Sequence, residues 1–245
     1  MTHALVLLSA VVATGILGLT DCRAAPPSVA EIEPNQAVSF IDSQVQKQDH
    51  KIIGRTANVI VQDGVPQAAV IGLAGFMGIG NRDAAVPWDA LRFDPTADPV
   101  QVTVDLTTDQ LRVLAKAKPP AVKGQAEDTA ETAPKLGLKL IDATLQDAKG
   151  KTLGEITDVL IDHASQPRAI VVTLGGTLDP NGREIAVAWS GISFGETKGK
   201  PTVSAALTPD QVKNATAYKA GKAAQAISPQ TISSPQSDQA AVLTK

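Results

Sequence analysis

The side chains able to do chemistry are few and scattered. Asp158 and Asp162, in the stretch "TDVLID", come nearest to a paired-carboxylate arrangement. Acid–base work would need both on one concave face, with a nucleophile or base beside them. Here they are close only along the chain, and no such partner flanks them. The histidines His3, His50 and His163 show no ligand spacing, and His163 next to Asp162 is expected to be a solvated turn residue. A single cysteine, Cys22, rules out an intramolecular disulfide and a cysteine-based zinc site. The loop "GFMGIGN" from Gly75 could turn backbone N–H groups towards an anion. A nucleotide fingerprint, however, needs a helix after its glycines, and a short strand pattern ending in Pro87-Trp88 follows instead. Arg82-Asp83 and Arg183-Glu184 put opposite charges on opposite faces of a strand, which predicts a solvated edge. No catalytic constellation, metal set or cofactor site is expected, so the chain is not expected to be an enzyme.

Bulk composition narrows the partners. Over 245 residues the net charge is −3 and no Lys/Arg cluster stands out, so there is no basic face for nucleic acid. Aromatic residues make up 3% of the chain, too few for a base-stacking platform. Ala, Val and Gly in abundance suit short strands.

The elements that position these residues begin after an apolar run, "ALVLLSAVVATGILGL" (Ala4 to Leu19), of the length of a secretory h-region and short for a spanning helix. Residues 1–25 are therefore expected to be an export signal. Cleavage near Ala24 or Ala25 is the favoured outcome. Lipidation of Cys22 in "LTDC" and an uncleaved anchor are the alternatives, with Asp21 an unusual neighbour for an acylated cysteine. The expected location is the periplasm or beyond, with membrane association only through this N-terminus.

Self-comparison organises the remainder. Shifted by 101 residues, "PQAAVIGLAGFMGIGNRDAAVPWDALRF" falls on "PRAIVVTLGGTLDPNGREIAVAWSGISF". From Pro66 to Arg112, 16 of 47 positions are identical without a gap, far above what composition supplies. Upstream the shift is 100, pairing "FID" with "LID" and "IGRTANVIV" with "LGEITDVLI". Each copy predicts a leading segment (40–45; 140–145), a glycine-led strand (54–61; 154–161), a polar turn, and an apolar strand (68–73; 169–174). A glycine-containing loop and two further strands follow (84–88 and 100–104; 185–189 and 202–206). Helices capped by Thr107 and Thr208 close the copies, over 108–117 and 209–219. The shared positions Gly54, Gly75, Trp88, Gly154, Gly176 and Trp189, with Pro87, are expected to be structural, the tryptophans as core at the sheet edge. Residues 119–135, rich in Pro, Ala and acids, predict a flexible linker, and 222–245 a disordered tail.

The quoted motifs resemble the PRC-barrel family, a small all-β domain shared by the photosynthetic reaction-centre H subunit and a ribosome maturation factor. The first copy carries them through Gly54, Val59 to Val61, the Gly75 to Gly80 loop and Ala85-Val86-Pro87-Trp88. The second keeps Gly154, Asp158 to Asp162, Gly175-Gly176 and Trp189 but has "TLDPNG" in the loop and Ala188 for proline. The resemblance implies two tandem six-strand-like barrels, at 37–118 and 136–221, each followed by a short helix, in a mainly β chain. It also implies a binding or assembly role without shared catalytic residues. Phe76, Met77 and Ile79 are the candidate partner contacts, since adaptable and aromatic side chains favour interfaces. The expected partner is another envelope protein. A cleft between the two barrels taking a small ligand or anion is the alternative.

Overall fold

The computed structural model describes residues 28–73, 82–97, 101–116, 137–175, 178–197 and 200–229. Its first part contains β1 (Ser28–Ile32), β2 (Ala37–Ser39), β3 (Gln44–Lys47), β4 (Ile52–Gln62), β5 (Val65–Leu73), β6 (Arg82–Pro87), β7 (Leu91–Asp94), β8 (Gln101–Val104) and α1 (Thr108–Lys116). Its second contains β9 (Leu138–Lys139), β10 (Thr144–Gln146), β11 (Thr152–Asp162), β12 (Pro167–Leu174), β13 (Glu184–Ala188), β14 (Ile192–Thr197), β15 (Lys200–Ala205), α2 (Pro209–Asn214) and β16 (Ala224–Ser228). The sheets run β6-β5-β4-β3-β8-β7 and β13-β12-β11-β10-β15-β14, the same order twice, as the repeat predicts.

Local chemistry explains the strand path. β4 and β5 are joined by Asp63 and Gly64, both at positive φ, the two-residue turn whose twist matches that of the strands. A β-carbon on Gly54 would collide with Gly72 O, and one on Gly154 with Thr173 O, so the glycines that lead β4 and β11 are required by close backbone approach. Both helices open as expected. Thr107 Oγ1 accepts from Gln110 N, and Thr208 with Gln211 forms a complete capping box.

Several expectations need correction. Among the described residues no ladder joins β6 to β7 or β13 to β14, so each six-strand path is open where a closed barrel was expected. β7 and β14 are strands that the sequence pattern did not single out. The second helix stops at Asn214, because the following residues return to β13: Ala217 bridges Ile185 and Tyr218 N donates to Glu184 O. Of the tail expected to be disordered over 222–245, the first residues form β16, which runs parallel to β13 and antiparallel to β1, while 230–245 lie outside the described residues. The alanines that hid it from propensity are the reason it fits: Ala224 and Ala226 pack against Ala186, Ala188 and Val171 in a small core on the outer face of the second sheet.

The largest departure lies between the copies. The leading segment of each copy is split, and its first part pairs with the other copy. β2 pairs with β11 through Leu160↔Ser39 and Ile161↔Val38, while β9 pairs with β4 through Ile60↔Lys139 and Val61↔Leu138. The chain then reverses at Asp42 and Asp142, both at positive φ, and β3 and β10 return to their own copy on β4 and β11. One buried core runs through both halves, with Phe40 and Leu140 fully enclosed at the two crossings. The units expected at 37–118 and 136–221 thus exchange leading strands and share one buried core.

Expressed as two polypeptides, residues 28–118 and 136–229 should assemble into a one-to-one complex, readable by size-exclusion with light scattering. Two folded, non-associating monomers would mean that each leader can serve its own copy. Gly54→Ala should lower unfolding free energy by about 1–3 kcal/mol in urea titration, the usual cost of forcing atoms into a filled site.

Candidate interaction site at the junction of the two halves

The junction is built twice from the same repeat position. In the first half, bulging of β4 between Thr56 and Asn58 turns the Asn58 side chain towards the incoming leader. Asn58 Oδ1 accepts from Ile141 N at 3.0 Å and Val59 N at 2.9 Å, and its Nδ2 donates to Ile141 O at 3.2 Å. Leu140 N donates to Val59 O at 2.9 Å. In the second half Asp158 takes the same place. Its Oδ1 accepts from Ile41 N at 2.9 Å and Val159 N at 2.7 Å, its Oδ2 accepts from the Ser39 hydroxyl, and Phe40 N donates to Val159 O at 2.9 Å. Both side chains are buried, which makes satisfaction of these backbone groups a condition of the fold. Burial pushes the Asp158 carboxyl up from 3.8 to about 6, although the hydrogen bonds from Ser39, Ile41 and Val159 pull it down.

Around the crossings sit the repeat tryptophans. Trp88 lies half-buried against Phe40 and Phe93, with ring centroids 6.1 and 5.3 Å away, and its Nε1 donates to Ser165 O of the other half at 2.9 Å. Trp189 packs on Phe194 at 5.2 Å, and the Phe194 ring faces Gly64 in the first half's hairpin. The tryptophans thus belong to the core edge, as expected, and also tie the halves together. Pro87 ends β6, which among the described residues is an outer strand of its sheet, a position where proline is tolerated. Its counterpart Ala188 ends β13, which is flanked by β12 and β16.

The remaining candidates separate. Asp162 does not join Asp158: its Oδ1 accepts from Ala164 N and Gln166 N, both at 2.9 Å, and its Oδ2 lies 3.5 Å from Arg168. His50 and His163 are exposed, and among the described residues no cluster of His, Cys, Asp and Glu is arranged to hold a metal ion. Arg82 is exposed, consistent with a solvated edge. Arg183 departs from that expectation: half-buried, it pairs with Asp179 at 3.0 Å and donates to Ala215 O and Lys213 O, closing the end of α2. Cys22, Gly75, Phe76, Met77, Ile79 and Gly176 lie outside the described residues. Beside the β9 crossing lies a groove of about 660 Å³ lined by Asn58 of the first half and, from the second, the β9 leader with Lys139, the Asp142 turn, Thr197 and Lys200. Asn58 was not singled out from the sequence. Its signal was a polar side chain at one repeat position, aligned with Asp158, inside two otherwise apolar strands.

Residues 138–200 match the family model of the PRC-barrel domain, so the chain carries a PRC-barrel domain over this stretch. No curated protein matches the chain.

Asn58→Ala would leave two N–H groups and one carbonyl at the junction without their partner. The expected loss is about 2–4 kcal/mol in denaturant unfolding, with both halves melting together. A loss below about 0.5 kcal/mol would mean that water replaces the side chain at no cost.

Proposed function

We propose that the chain is an exported, non-enzymatic protein that acts as a binding or assembly module at the bacterial cell envelope, with its first half a second PRC-barrel-like unit. The observation that carries this reading is the PRC-barrel match at 138–200 in a molecule whose buried acids are committed to backbone N–H groups. The identical strand order of residues 44–104 supports the same origin for the first half. The apolar run at Ala4 to Leu19 supports export. The groove beside Lys139 and Lys200 favours a second reading, a small anionic ligand held between the halves.

The two readings part in one experiment. The protein and a Phe76→Asp/Met77→Asp variant, both verified as folded by circular dichroism, are used to capture cross-linked partners from native envelope extract. The assembly reading expects one envelope protein held by the wild type and at least tenfold depleted with the variant. Equal capture by both would move the contact away from that loop. Failure of both to capture, with a thermal shift of several degrees on adding inorganic phosphate or a small dicarboxylate, would favour the ligand reading.

A further inference from the structure

Asn58 and Asp158 occupy one repeat position and do one task, yet only Asp158 can carry charge. It is 6% exposed, and none of the described groups facing it is cationic. From β2 come the Ser39 hydroxyl and, just beyond, the Ile41 N–H; from β11 its own neighbour Val159 N–H; from β12 the apolar Val171. The remaining titratable neighbour is Tyr218, anchored through its N–H to Glu184 O at 2.8 Å, and beyond it on β13 lies the Glu184 carboxylate, which acts on the same phenol. Burial first, then the negative charges of Asp158 and Glu184, push the Tyr218 phenol up to about 12, so it stays neutral and offers no countercharge. The leader held here is the end of a longer unit, since residues 28–39 rest on the second half through both β1 and β2.

We propose that the joint between β2 and β11 is tightened by acid: proton uptake on Asp158 holds the N-terminal segment more firmly to the second half, while the Asn58 joint with β9 is indifferent to pH. In the closed joint the carboxylate is desolvated; once β2 lifts away it meets water. The proton comes from solvent, and the protonated oxygen then donates to Ser39 Oγ, a hydroxyl that serves equally as acceptor. With the closed-state value raised to about 6 from an ordinary 3.8, the extra hold is fully present below about pH 4 and is lost as pH rises through about 6. The difference amounts to roughly a hundredfold in the opening equilibrium.

Amide hydrogen exchange on the full chain tests this with an internal control. After correction for intrinsic exchange, protection of the Phe40 and Ile41 amides should be about a hundredfold greater at pH 4 than at pH 8. Leu140 and Ile141 should change by less than about threefold, and Asp158→Asn should flatten the Phe40 and Ile41 response. A response shared equally by both leaders, none in either, or one that persists in Asp158→Asn overturns the proposal. So does a carbon-13 titration of the Asp158 carboxyl with an ordinary carboxylate midpoint, a measurement that needs no variant.

Discussion

A strand that leaves its own sheet must have its backbone groups met elsewhere, and this obligation, incurred twice, shapes the molecule. β2 and β9 are too short to hold by ladder bonds alone, with three and two paired positions. What completes each is a side chain from the receiving strand that reaches the first residues past the ladder: Asp158 at Ile41, Asn58 at Ile141. Leaving those groups unpaired in a buried junction would cost more than such a short strand could offset. The bulges in β4 and β11 therefore serve the crossing, because they aim these side chains at the leader. Phe40 and Leu140 follow directly and drive the chain through the shared core. The two halves consequently have no surfaces on which they could simply be parted.

The duplication has not stayed symmetrical. Beyond β13 the second sheet is extended by β16 and β1, whose Ile32 is buried in the same small cluster as Leu160 of β11. Beyond β6, among the described residues, the first sheet has no further strand, and α1 packs beside it with Leu111 and Ala115 buried. Sequence differences track this divergence. Pro87 is tolerable at an outer strand and blunts it against pairing, whereas Ala188 keeps its N–H and its small size beneath a neighbouring strand. Arg183 differs from Arg82 for a related reason: α2 is short, and the carbonyls at its end need a donor that the longer α1 does not ask of Arg82.

Much of the fold was legible because repetition and alternation are written in residue types. The repeated long strands and the hairpins between them, the glycines at 54 and 154, the threonine caps and the half-buried tryptophan edge all follow from local pattern. The exchange of leaders was not legible, because β2 presents the same alternation to either copy of the long strand and both receivers carry a polar residue at the same place. Register within a sheet is set by which face is apolar, and that criterion cannot choose between two nearly identical receivers. β16 was missed for a different reason. Its "AQAIS" has weak strand propensity alone and gains its conformation from a face of alanines that only the tertiary structure assembles.

The same crossing bears on how a binding event at one half would be felt at the other. In tandem domains joined by a linker, a partner bound to one unit leaves the next unaffected apart from its local concentration. Here the backbone of each half completes the other's sheet, and Trp88 of the first half donates to Ser165 of the second while Phe194 of the second covers Gly64 of the first. A load applied to either half is thus borne by both sets of ladder bonds. The segment between α1 and β9 need not transmit it, since the halves would remain joined through β2 and β9 even if that segment were cut. For a protein whose buried acids and half-buried Arg183 are spent on its own backbone, this shared architecture is the physical property most available for use. A partner engaging an exposed part of one half would engage a body whose two halves share strands and core.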